Sequence, residues 1–86
     1  MKILRLPVNE GWYNLIKNEE IKVDYRTIKP FWTQRLENKE YDVVEFYHRF
    51  KKDIQPIRYK ILKIHKGHVS WHSDLFYLIH FGKRID

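Results

Sequence analysis

Residues 41–50, YDVVEFYHRF, alternate so that Val44, Phe46, His48 and Phe50 fall on one side of an extended chain and Val43, Glu45, Tyr47 and Arg49 on the other. This period of two, carried by β-branched and aromatic residues, suits a pleated surface with a buried face and conflicts with the 3.6-residue period of a helix. Pro7, Pro30 and Pro56, with Gly67 and Gly82, divide the rest of the 86 residues into equally short elements. The chain therefore reads as one small β-rich domain spanning residues 1–86. A domain of this size buries roughly 60 to 65% of its unfolded surface, so its stability margin is thin.

The other elements follow from the same reasoning. Ile3, Leu4 and Leu6 predict a first strand over residues 2–6 that Pro7 ends. Asn9 is a helix N-cap, and Trp12, Leu15 and Ile16 recur at helical spacing up to about Asn18. Residues 22–26 alternate as a strand, with Lys22, Asp24 and Arg26 on one face and Val23 and Tyr25 on the other. Pro30 suits the first turn of a second helix, in which Trp32 and Leu36 meet at i,i+4. In residues 57–65 the apolar phase changes between Ile61 and Leu62, the mark of a bulge or bend. Residues 66–74, KGHVSWHSD, are polar enough to predict a loop, while residues 75–81, LFYLIHF, are apolar in both phases, as in a strand covered on both faces. The sum is an α+β fold: a small curved sheet or partly closed β-barrel of about five strands, with two short helices near the N-terminus.

Seventeen Lys and Arg against eleven Asp and Glu give a net charge of +6, which draws the protein toward polyanions or simply keeps it soluble. Aromatic residues make up 16% of the chain, and rings interleaved with cations suit a surface that stacks bases while neutralising phosphates. There is no cysteine, no long apolar run and no signal-peptide core before Pro7, so a cytoplasmic protein without a membrane segment is expected.

Chemistry concentrates in VDYRTIKPFW, residues 23–32. Asp24 and Arg26 project from one strand face and pair, orienting the guanidinium beside a barrel mouth. Arg26, Lys29 and Arg35 are candidate phosphate contacts, Trp32, Phe31 and Tyr25 candidate stacking surfaces, and Asp24 an acceptor for a base amino group. On the competing reading the pair only ties strand to helix, and Trp32 and Phe31 plug the barrel end.

From Lys2 to about Ile85 the chain resembles the ASCH domain of the PUA-like β-barrel superfamily, in the short single-domain form common in bacteriophages. The resemblance is carried by GWYNLIKNEEIKVDYRTIKPFWTQRL, YDVVEF and FYLIHFGKRI. The family pattern Gly-x-Lys-x-x-Glu-x-Arg meets Asp24 and Arg26 at its last two charged positions, and its Lys-Pro-aromatic-Trp segment meets Lys29, Pro30, Phe31 and Trp32. Its glycine position holds Glu19 and its lysine position Ile21, with Lys22 one residue later. The resemblance implies binding of RNA or of an unpaired or modified nucleobase at the barrel mouth. It implies, as an alternative, an amidohydrolase acting on N4-acylated cytidine, or a ribonuclease. Such hydrolases use the motif lysine, a threonine three residues on and a distant glutamate. Isoleucine transfers no proton, so catalysis here would fall to Lys22, Asp24 and Glu45. A protein-interaction role is a third reading.

His65, His68 and His72 are spaced to suggest zinc, but Gly67 and a polar stretch separate them, so no metal and no cofactor are expected. The run HRFKKDIQPIRYK carries Arg49, Lys51, Lys52, Arg58 and Lys60, which suit either a phosphate track or a solvated edge that resists aggregation.

Overall fold

A computed structural model describes residues 1–85. Its elements are β1 (Ile3–Val8), α1 (Glu10–Lys17), β2 (Val23–Thr27), α2 (Pro30–Leu36), β3 (Val43–His48), β4 (Ile57–Val69) and β5 (His72–Arg84). The five strands form one mixed sheet in the order β1-β3-β4-β5-β2. Only β1 and β3 run parallel; the other pairings are antiparallel. The sheet is curved and its ladder does not close, so β1 and β2 remain edges.

Alternation in β1 and β3 decides which face holds the core. Leu4 and Leu6 pair with Val44 and Phe46, while Arg5 pairs with Glu45 on the opposite face. Inside, Phe46, Tyr59 and Phe81 form a ring cluster with centroids 5.0 to 6.3 Å apart. Each such fully buried side chain stabilises the fold by about 1.5 to 3 kcal/mol.

Helix α1 starts where Asn9 Oδ1 accepts from the Trp12 N–H at 2.8 Å. It stops at a left-handed residue, Glu19 (φ 57°), whose N–H donates to Ile16 O while the Glu20 N–H donates to Leu15 O. Tyr13 and Ile16 face the sheet, and the Tyr59 hydroxyl donates to Ile16 O at 2.6 Å. Pro30 opens α2, which buries Leu36. There the Tyr77 hydroxyl lies 3.0 Å from Thr33 Oγ1 and 2.7 Å from Glu37 Oε2.

Two expectations need correcting. Strand β1 continues through Pro7 to Val8, because an edge strand with a neighbour on one side tolerates the missing N–H. Residues 66–74 form a hairpin rather than a loop: β4 and β5 meet at Val69↔His72 across Ser70 and Trp71. Neither turn residue has a positive φ, so the mirror-type turns that hairpins favour are not used, and the ladder shifts register between Gly67 and Val69 instead. Beyond Ile61 the outer side of β4 has no neighbouring strand among the described residues, which explains the polar residues there. The phase change near residue 61 is a real irregularity, with shifts between Tyr59 and Ile61 and between Ile61 and Lys63. Residues 76–79 are buried on both faces of β5, as their composition requires.

A candidate ligand site at the sheet seam

Curvature brings the two sheet edges within reach of a side chain. The Arg26 Nη2 group, on β2, donates to the Pro7 carbonyl of β1 at 3.0 Å. Arg26 is held in turn by Asp24: its Nε donates to Oδ2 at 2.6 Å and Nη2 reaches Oδ1 at 3.4 Å. Asp24 Oδ1 also accepts from Trp12 Nε1 at 2.8 Å, tying α1 into the seam. The Trp32 ring covers the guanidinium, 4.9 Å from its centroid. The acid and the guanidinium thus act first as a brace across the gap where a closed barrel would have a ladder.

Beside the brace lies a hollow of about 380 Å³ walled by Pro7, Val8 and Asn9, by Trp12, by Asp24, Tyr25 and Arg26, and by Arg49 and Trp71. That is near the lower end of ordinary ligand sites, roughly 300 to 1,000 Å³. The register explains its two-sided wall. Asp24 and Arg26 share the core face with Ile79 and Tyr77, whereas Tyr25 shares the outer face with Leu78. Tyr25 meets Trp12 edge-on at 6.4 Å and Trp71 at 5.7 Å. Trp71, at the hairpin tip, remains 62% exposed, so one indole stays open to a guest. A larger hollow of about 890 Å³ lies along the α2–β3 connection, lined by lysines, Glu40 and Tyr41 rather than by converging rings.

Among the residues expected at the mouth, Asp24, Tyr25 and Arg26 line this hollow and Lys29, Trp32 and Arg35 do not. Trp32 is spent on Arg26, and Arg35 lies over Phe31 at 3.7 Å. Lys29 is the exposed residue before α2 and makes no capping bond. The opening therefore faces α1 and the hairpin tip instead of the proline-started helix, because β2 turns its charged face toward β1.

Lys22, Asp24 and Glu45 are not brought together by any hydrogen bond or ion pair among the described residues. Lys22 Nζ reaches Glu19 Oε1 at 2.9 Å and Gly82 O at 3.4 Å. Glu45 is clamped on the outer face of the sheet by Arg5 Nε at 2.6 Å and Arg58 Nε at 2.8 Å. Burial pushes the Asp24 carboxyl above its ordinary value, against the pull of Arg26 and the Trp12 N–H. Burial also raises Glu45, but the hydrogen bonds and charges of Arg5 and Arg58 outweigh it and hold that carboxyl low.

His65 and His68 stand on β4 and His72 on β5, and His65 meets His80 instead, Nε2 to Nε2 at 2.8 Å. Burial, then the nearby His65 and Lys63, lower the His80 pKa. Among the described residues no three His, Asp or Glu side chains gather as a metal site would need. No helix of the described residues is long and apolar enough to cross a membrane.

Sequence reasoning missed Trp12, Arg49 and Trp71 as wall residues. Trp12 reads as an ordinary apolar helix position, although an indole N–H needs an acceptor when buried, and Asp24 is that acceptor. Trp71 is the one large ring in a polar stretch, a signal for a placed aromatic once the hairpin is known. No protein-family model, curated protein or solved structure matches the chain.

Proposed function

We propose that this protein is a nucleic-acid-binding module of the ASCH type, and that an unpaired base, most suitably of RNA, enters the seam hollow. The observation that carries the reading is the meeting of Trp12, Tyr25 and Trp71 with Arg26 and Arg49 around one opening. Aromatic faces accept a base by stacking, and the cations beside them attract its phosphate. Asp24 Oδ1 and Oδ2 are largely occupied by protein donors, so the acid positions Arg26 rather than serving as a free base. Separation of Lys22, Asp24 and Glu45 favours binding over hydrolysis.

The ASCH resemblance gains support from Glu19. The family pattern has glycine at this position, and the backbone here is left-handed, a conformation glycine adopts without penalty. The absence of cysteine suits a reducing cytoplasm.

Titration of a fluorescein-labelled single-stranded RNA at several salt concentrations tests the proposal. Trp71→Ala is expected to weaken binding by about 1 to 3 kcal/mol, the worth of one stacked base. Unchanged affinity in that variant, or no salt-dependent binding at micromolar protein, overturns the site.

A further inference from the structure

We propose that the seam hollow is one half of a longer site, and that its ligand is a single strand whose neighbouring phosphates lie in a cationic groove on the far side of Arg49. The inference rests on the reading of the seam as a base site and adds to it that a strand, not a free nucleoside, is the fitting partner. A groove of about 580 Å³ runs beside the seam, and the two share Pro7 and Arg49 as a common wall. Arg5, Arg49, Lys51 and Lys52 line the groove, and among the described residues no carboxylate does.

Two of those cations are already engaged. Arg5 pairs with Glu45, and Lys51 pairs with Glu10 at 3.1 Å, the latter an exposed pair weak enough for a strand phosphate to take the carboxylate's place. Arg49 and Lys52 have no carboxylate partner among the described residues, so positive charge is uncompensated where the two hollows join, at Arg49, and along the groove, at Lys52. The backbone at residues 49–51 is anchored. The Arg49 N–H donates to Val8 O at 2.9 Å, and the Phe50 and Lys51 amides donate to Nδ1 of the buried His48 at 3.2 and 3.1 Å. With its backbone already anchored, the loop has only side chains left to order on binding, which favours it as a phosphate cradle over cations on an untethered segment. Aromatic walls on one side of Arg49 and unopposed positive charge on the other match the alternation of base and phosphate along a strand.

The test uses the full chain with a mixed-sequence ten-nucleotide RNA carrying fluorescein, competed by the four nucleosides and by their 5′-monophosphates. Expected affinities rise from nucleoside to monophosphate to the ten-nucleotide strand. A double variant, Lys51→Ala with Lys52→Ala, removes two exposed cations. It should lower the slope of log affinity against log salt by about 1.4, taking about 0.7 per lost contact, and weaken the strand about 25-fold at about 0.1 M salt. A slope unchanged in the double variant, or nucleosides competing as well as the strand, overturns the groove and leaves the seam reading standing. Strand binding that keeps the lysine-dependent slope but ignores Trp71→Ala removes the base site, and with it this inference. No binding by any probe removes both.

Discussion

Asp24 and Glu45 are both carboxylates gripped by arginine, yet their surroundings shift their pKa values in opposite directions. Asp24 is 1% exposed with one arginine, and its carboxyl is pushed up; Glu45 is 6% exposed with two, and its carboxyl is held down. The depth of each acid and the arginines around it together explain the difference. Arg26 is itself nearly enclosed, its side chain 13% exposed, whereas Arg5 and Arg58 are 62% and 41% exposed. A second cation outweighs desolvation when the pair lies at the sheet surface. A single one does not when both partners are taken out of water. The seam brace thus fixes geometry at an energetic cost, while the outer clamp fastens three strands cheaply.

The sharpest way to break this contrast is to truncate each acid. Asp24→Ala strands Arg26 and the Trp12 N–H inside the seam, so chemical denaturation should show a loss of about 3 to 5 kcal/mol. Glu45→Ala leaves two arginines that water can reach and should lose about 1 kcal/mol. Equal losses would mean that burial does not separate the two clamps.

The pH dependence sharpens the comparison at smaller amplitude. Glu45 has a folded pKa below its unfolded value, so its stabilisation is present above the unfolded pKa and lost as pH falls through the folded one. Asp24 has the opposite sign: its folded pKa is raised, so stability declines as pH climbs from the unfolded value through the folded one. Melting curves between about pH 7 and about pH 3 should therefore show a shallower acid loss for Glu45→Gln than for the parent. Glu10 and Glu37, also lowered, contribute to the acid loss that remains. An undiminished acid limb in Glu45→Gln would count against the double clamp.

The smallest expected effect comes from a position outside both clamps and sets the scale for them. Glu19→Gly relieves a left-handed backbone and gives up only an exposed ion pair with Lys22. It should stabilise by about 0.5 to 1 kcal/mol, seen as a higher melting temperature.

How much of this was legible in the chain depended on the range of the interaction. Asn9 and Pro30 place the helix starts because a cap and a fixed φ act on neighbouring residues. Alternation over 41–50 locates β3 and its two faces for the same reason. The pairing of Asp24 with Arg26 was readable too, since two positions on one strand share a face. Residues 66–74 were not readable, because their polarity reports an open strand edge, a property of which strands lie alongside. Nor was the aim of β2's charged face readable. Trp12, Arg49 and Trp71 come from three different elements, and only the sheet's curvature gathers them around Asp24 and Arg26.

From the sequence alone came a small cationic α+β domain, most of its helices and strands, and the acid–guanidinium couple, because periodicity, capping and nearest-face pairing are local. Tertiary structure alone decided that this couple braces the gap between two sheet edges and that the hollow opens toward α1 and the hairpin tip. Those outcomes depend on strand order, twist and register, which arise from contacts between residues far apart in the chain.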